Sequence, residues 1–276
     1  MSHLMVFVLS CFVLVSEALA STGKFVQAKS DHGVVLVHGW GRSPRQPKSL
    51  WKSQIQPYTD LKTLKSRFED LGFQNVFVVE YDDLQDLDTM ATTVAGQIHK
   101  IIASSRNPAF TIDVVGHSMG QFVAAKAILD KKYSRAQPYS LADRVRIFIG
   151  LAGIIRGQDE LYPCSIFPGQ CGGGGALEPY YSDANKGSLE VKRLFSENYQ
   201  ALNRLKKCSV YSSADEIVKT PYDAASFRGL GLEPKNMMDL KINSRREKFH
   251  NDVKESEQIF LKIVANCYKL IGKELI

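Results

Sequence analysis

The sequence predicts an α/β fold: a compact, mainly parallel sheet of about six strands with helices on both faces. Three observations predict it. Short Val/Ile-rich runs recur along the chain, helix-length amphipathic stretches separate them, and the runs are apolar throughout rather than alternating. Strands buried on both faces read as continuous apolar runs, and helical crossovers between them imply parallel pairing.

The elements follow in order. Val34–Val37, Val76–Val79, Ile112–Val115, Val145–Ile149 and Cys208–Tyr211 are strand runs, and Met238–Ile242 is a weaker sixth. Met90, Val94, Ile98, Ile101 and Ile102 share one face of a helix. Residues 121–130 are rich in good helix formers and follow the third run after the five residues 116–120. Phe260, Ile263, Val264, Cys267 and Ile271 share a face of the last helix, for which Asn251-Asp252 is the expected cap. Residues 154–205 break the rhythm. They contain PCSIFPGQCGGGGALEP, whose four glycines are costly in a helix or strand, and are expected to form an irregular insertion.

The chain has 276 residues, 44% hydrophobic and 23% charged, with net charge +6, which is globular composition. No dense Lys/Arg block or basic-aromatic stripe occurs, so nucleic acid is not an expected partner. Leu4 to Val15 is almost wholly apolar, too short to span a bilayer comfortably, and Ala18-Leu19-Ala20 fits a small-residue cleavage site. Residues 1–20 are therefore expected to be a secretory signal and 21–276 one domain. A short anchor is the alternative, since the segment before the apolar run has no Lys or Arg.

Cleavage would leave Cys164, Cys171, Cys208 and Cys267. An even count in a secreted chain favours disulfides. The spacing suggests Cys164–Cys171 as a local clamp and Cys208–Cys267 as a long-range tie, although three pairings are possible. No CxxC and no neighbouring histidine suggests zinc, and neither HExxH nor a carboxylate-rich calcium loop occurs, so no metal or organic cofactor is expected. There is also no N-glycosylation sequon.

Gly116-His117-Ser118-Met119-Gly120 matches G-x-S-x-G, between a strand and a helix. That setting turns a common pentapeptide into a candidate nucleophile elbow, in which a sharp turn exposes the serine hydroxyl at the carboxyl end of the sheet. The alternative is a serine that only caps the helix. A nucleophilic serine needs a base and an acid, which in this setting follow in the order Ser, Asp or Glu, His. Among six histidines only His250 lies after Ser118 with room for an acid between, in an expected turn before the last helix. His117 adjoins the serine and is directed away from its Oγ. Asp215 lies just past the run 208–211 and is the candidate acid; Glu216, Asp223 and Asp239 fit the order or the turn less well. The backbone N–H groups of Met119 and Trp40 are the candidate oxyanion donors, with His38 and Gly39 shaping the loop before Trp40.

With VLVHGWG, VVGHSMG, GLAGIIRG, SVYSSADEIV and a histidine before the final helix, the chain resembles the class 2 triacylglycerol lipases, small secreted proteins of the α/β-hydrolase fold. The matching segments run from about Val34 to His250. The resemblance implies Ser118, Asp215 and His250 as a triad, Trp40 and Met119 as oxyanion donors, and a short sheet. The chain departs from the pattern at Gln121, where a glycine often follows G-x-S-x-G, in the length of 154–205, and in the bulk of Trp40. The function expected is hydrolysis of carboxylic esters of lipids by a secreted monomer in transient contact with a lipid interface, with residues 154–205 a candidate small lid. A thioesterase or lipid amidase using the same triad is the alternative, and a secreted binding protein with a retired hydrolase fold is a further one.

Overall fold

The computed structural model describes residues 32–39, 61–83, 85–155, 189–215, 218, 226–228, 232–243 and 249–272. Six strands form one sheet: β1 (His32–Val37), β2 (Val76–Val79), β3 (Thr111–His117), β4 (Val145–Leu151), β5 (Lys207–Tyr211) and β6 (Met237–Lys241). Their order is β2-β1-β3-β4-β5-β6, and every neighbouring pair is parallel. The sequence predicts a mainly parallel sheet; the pairing is parallel throughout these six strands.

The described helices are α1 (Lys62–Asp70), α2 (Leu87–Ser104), α3 (Met119–Leu129), α4 (Leu189–Glu197), α5 (Tyr199–Arg204), α6 (Phe249–Glu255) and α7 (Glu257–Cys267). Alternate residues of each strand face opposite sides. Val35 and Val37 enter a cluster with Met90, Val94, Ile98, Phe122 and Leu202, which covers one face with α2, α3 and α5. Val34 and Leu36 enter a second with Leu64, Phe68, Val253, Phe260 and Val264, which covers the other with α1, α6 and α7. Burial on both faces is why the strands carry no polar alternation. The α2 helix begins at Asp86, whose carboxylate accepts the Thr89 N–H at 2.9 Å. The α3 helix is buried along its whole length, including Gln121 and Lys126.

Three expectations are corrected. The insertion expected over 154–205 is not irregular throughout, since α4 and α5 form within it, their apolar residues Leu194, Phe195 and Leu202 buried against the sheet cluster. The last helix is two helices: α7 is capped by Ser256, whose hydroxyl accepts the Ile259 N–H, and not by Asn251-Asp252. His250 lies in the first turn of α6 rather than in a turn between elements. The α1 helix, with buried Leu64 and Phe68, has no counterpart among the expected elements.

The structure joins Cys208 to Cys267, with Cα atoms 5.6 Å apart, tying β5 to the end of α7. Residues 1–20, Trp40, Cys164 and Cys171 lie outside the described residues. Among the described residues no helix is long and apolar enough to cross a membrane.

Candidate active site

The strand order reverses direction at β1 and β3, and ligands bind beyond the carboxyl ends of parallel strands at such a point. Two chain turns meet there. After β1 the chain passes through His38 and Gly39; after β3 it turns through Ser118 into α3. Ser118 has φ 54° and ψ −130°, a backbone conformation that non-glycine residues seldom adopt. Its N–H donates to the Leu151 carbonyl at 2.9 Å, and its carbonyl accepts the Gln121 N–H at 3.1 Å, so β4 and α3 hold the turn from both sides.

The glycines around Ser118 make this packing possible. A Cβ on Gly120 would stand 2.2 Å from the His38 carbonyl oxygen, and one on Gly116 would stand 2.5 Å from Gln121 Cα. A Cβ on Gly39 would meet Ser118 Cβ at 2.7 Å and Oγ at 3.3 Å, so the loop after β1 runs directly beside the serine side chain. His38 orders that loop. Its Nδ1 pairs with the Gly39 carbonyl at 2.7 Å, its ring stacks on Tyr81 at 4.1 Å, and the Tyr81 hydroxyl donates to its carbonyl at 2.5 Å. The Tyr81 N–H faces Nε2 at 3.4 Å, so the tautomer that satisfies both ring nitrogens carries its proton on Nδ1.

His250 Nδ1 lies 3.1 and 3.2 Å from the two carboxylate oxygens of Asp215, with both side chains almost wholly buried. Asp215 is fixed in its turn: its N–H donates to the Ser212 carbonyl at 3.2 Å, and its Oδ1 accepts the Val218 N–H at 2.8 Å. A carboxylate on Nδ1 favours the tautomer with Nδ1–H, which leaves the lone pair on Nε2. The rejected Asp239 is occupied elsewhere, accepting from the Ser226 hydroxyl at 2.9 Å and pairing with Arg228 at 2.7 Å. Met119 opens α3 and is buried. Among the described residues no group of three or more His, Cys, Asp or Glu side chains is arranged to hold a metal ion.

Two features were not legible in the sequence. His117 is fully buried on the opposite side of β3 from the apolar residues Ile112 and Val114, and its Nε2–H donates to the carbonyl of His250 at 2.8 Å. Burial foremost, and then the neighbouring His250, Lys254 and His38, hold its imidazole well below the usual histidine range. Gln121 is also fully buried, and neither Nε2 nor Oε1 of its amide has a hydrogen-bond partner among the described residues. A Cβ on Gly150 would stand 1.9 Å from that Nε2, and one on Gly153 would stand 1.9 Å from that Oε1. The two glycines at the end of β4 thus make the space that the side chain in α3 fills. The only prior signal was their spacing in GLAGIIRG.

Residues 27–154, a little under half of the chain, match the family model described as "Putative serine esterase (DUF676)". The match spans β1 to the end of β4, including Gly39 and Ser118 but neither Asp215 nor His250. No curated protein matches the sequence. Among solved structures, the mature form of Bacillus licheniformis lipase BlEst2 is similar with TM-score 0.54 at 12% identity, over 84% of this chain and 91% of the other. A structure described as LipS and LipT, two metagenome-derived lipolytic enzymes, gives 0.51 at 12% identity, over 87% and 94%. Together with the six-stranded parallel sheet, these place the chain in the α/β-hydrolase fold.

Proposed function

We propose that the chain is a secreted serine hydrolase that cleaves carboxylic esters of lipids through Ser118, His250 and Asp215. The observation that carries the reading is the backbone of Ser118. A positive φ at a serine between a buried parallel strand and a helix is costly, and it has the form of a nucleophile elbow. The buried His250–Asp215 pair supplies what a serine hydroxyl needs. The serine esterase family match and the lipase structures support the same chemistry.

In this mechanism Ser118 Oγ attacks the ester carbonyl carbon while His250 Nε2 takes its proton. Asp215 holds the ring in the tautomer with Nδ1–H and stabilises the imidazolium that forms. The oxyanion is met by the backbone N–H groups of Met119 and Trp40, each worth about 3 kcal/mol of barrier in such sites. The alcohol leaves with the proton from His250, and water repeats the attack on the acyl-enzyme. The absence of a side chain at Gly39 keeps the space beside Ser118 Oγ from being filled. Residues 1–20 act as the export signal, and a purified secreted product beginning at Ser21 would be seen by intact mass.

The test is Ser118→Ala assayed on nitrophenyl esters of graded acyl length. Loss of hydrolysis with an unchanged melting curve supports the reading; full activity overturns it. Matched oxygen esters and thioesters separate an esterase from a thioesterase.

A further inference from the structure

We propose that His117 is a positioning residue, a clamp that fixes the main chain of His250 to the strand that carries Ser118. The inference rests on the triad reading above. His117 is the last residue of β3, on the face opposite Ile112 and Val114, and Ser118 follows it in the turn. The imidazole of His117 donates from Nε2 to the His250 carbonyl at 2.8 Å, a contact across 133 positions of sequence. The two rings stand 4.9 Å apart, tilted by 56°. The nucleophile and the base are thereby referenced to one strand, and that strand is braced by β1 and β4 on either side.

This contact supplies something Asp215 does not. The carboxylate of Asp215 sets the rotation and tautomer of the His250 ring. Nothing in that pair fixes where the backbone of α6 stands relative to Ser118. The hydrogen bond from His117 does, because its acceptor is the main-chain oxygen of the base itself. That carbonyl is in the first turn of a helix only seven residues long. A buried donor held between two rigid elements gives a single geometry, and displacement of a reacting group by about 1 Å can cost about 100-fold in rate.

The arrangement also sets the state of His117. With its proton on Nε2, Nδ1 carries a lone pair, and that atom is buried with no hydrogen-bond partner among the described residues. A second proton there would be an unpaired buried charge beside His250, Lys254 and His38. His117 therefore stays neutral while His250 cycles through its charged form. It acts through the position of His250 and does not exchange protons with the ester.

The experiment compares His117→Phe, which keeps ring bulk and removes the donor, with His117→Gln, whose amide nitrogen reaches the place of Nε2. On a nitrophenyl ester, the Phe variant is expected to lose roughly 10- to 100-fold in kcat with KM within about twofold, and the Gln variant to regain most of the loss. Equal kcat for wild type and the Phe variant, or equal losses in both variants, would overturn the clamp. The wild-type protein provides a reading free of any folding defect. Its ring ¹⁵N shifts should show His117 as the neutral Nε2–H tautomer through the activity range, and an Nδ1–H tautomer or an imidazolium would sink the proposal. Ser118→Ala, run alongside, separates the two failures. Full activity there overturns the triad and the clamp with it, whereas its inactivity with an unchanged kcat in His117→Phe overturns the clamp alone.

Discussion

Ser118 is held in a conformation that costs about 1–3 kcal/mol in a non-glycine residue, and the fold sustains it with hydrogen bonds to β4 and α3. Ser118→Ala keeps that backbone and removes only Oγ, so the expected result is a folded protein with ester hydrolysis reduced by roughly 10⁴-fold, read by steady-state kinetics. At His117 the folded imidazole titrates well below the ordinary value of 6.5, because burial and nearby positive groups disfavour its charge. A depressed pKa means that the unfolded chain binds the proton first. The contribution of His117 to stability is therefore full above pH 6.5 and is lost as the pH falls below it. Urea midpoints measured at about pH 7.5 and about pH 5 should fall more in the wild type than in His117→Phe. Gln121 offers a third residue-scale test. Both ends of its buried amide lack partners among the described residues, so Gln121→Met should raise stability by about 1 kcal/mol in urea denaturation.

At the scale of elements, the contact between α3 and the end of β4 is a matched pair of shapes. Gly150 and Gly153 leave room that the Gln121 side chain fills, and a methyl at Gly150 meets three of its side-chain atoms within 2.9 Å. Gly150→Ala is expected to cost about 1–3 kcal/mol by overpacking. Adding Gln121→Ala should recover most of that loss, and a double-mutant cycle with no coupling would refute the pairing. The α2 helix depends on its cap in the ordinary way. Asp86→Ala removes the acceptor for the Thr89 N–H and hydroxyl and should lower stability by about 1 kcal/mol.

At the scale of the molecule, the sheet brings parts far apart in sequence to one end. Gly39 follows β1 and Ser118 follows β3, while Asp215 follows β5 and His250 lies in the first turn of α6. Because all six strands run parallel, their carboxyl ends coincide, and so do the loops that follow them. The Cys208–Cys267 bond ties two segments 59 positions apart, joining β5, which precedes Asp215, to the helix behind α6. Closing a loop of that length in the unfolded chain is worth about 4 kcal/mol in the chain-entropy model. The Cys208→Ala, Cys267→Ala double variant should therefore unfold at lower urea concentration by a comparable amount. Reductant should shift the wild type more than the variant.

The sequence by itself determined the sheet. Apolar runs of four or five residues between helical stretches admit few arrangements, and all six runs coincide with described strands to within a few positions. It also determined the candidates Ser118, Asp215 and His250, since G-x-S-x-G at a strand end and the required chain order leave little choice among six histidines. The α1 helix and the division of the last helix were not legible, because both depend on which side the sheet needs covered rather than on local period. Only the tertiary structure decided what surrounds the serine. The approach of Gly39 to Ser118, the cradle of Gly150 and Gly153 around Gln121, and the bond from His117 to His250 are contacts between residues distant in sequence. No local pattern encodes them, because they arise only when the strands lie side by side and their ends share one space.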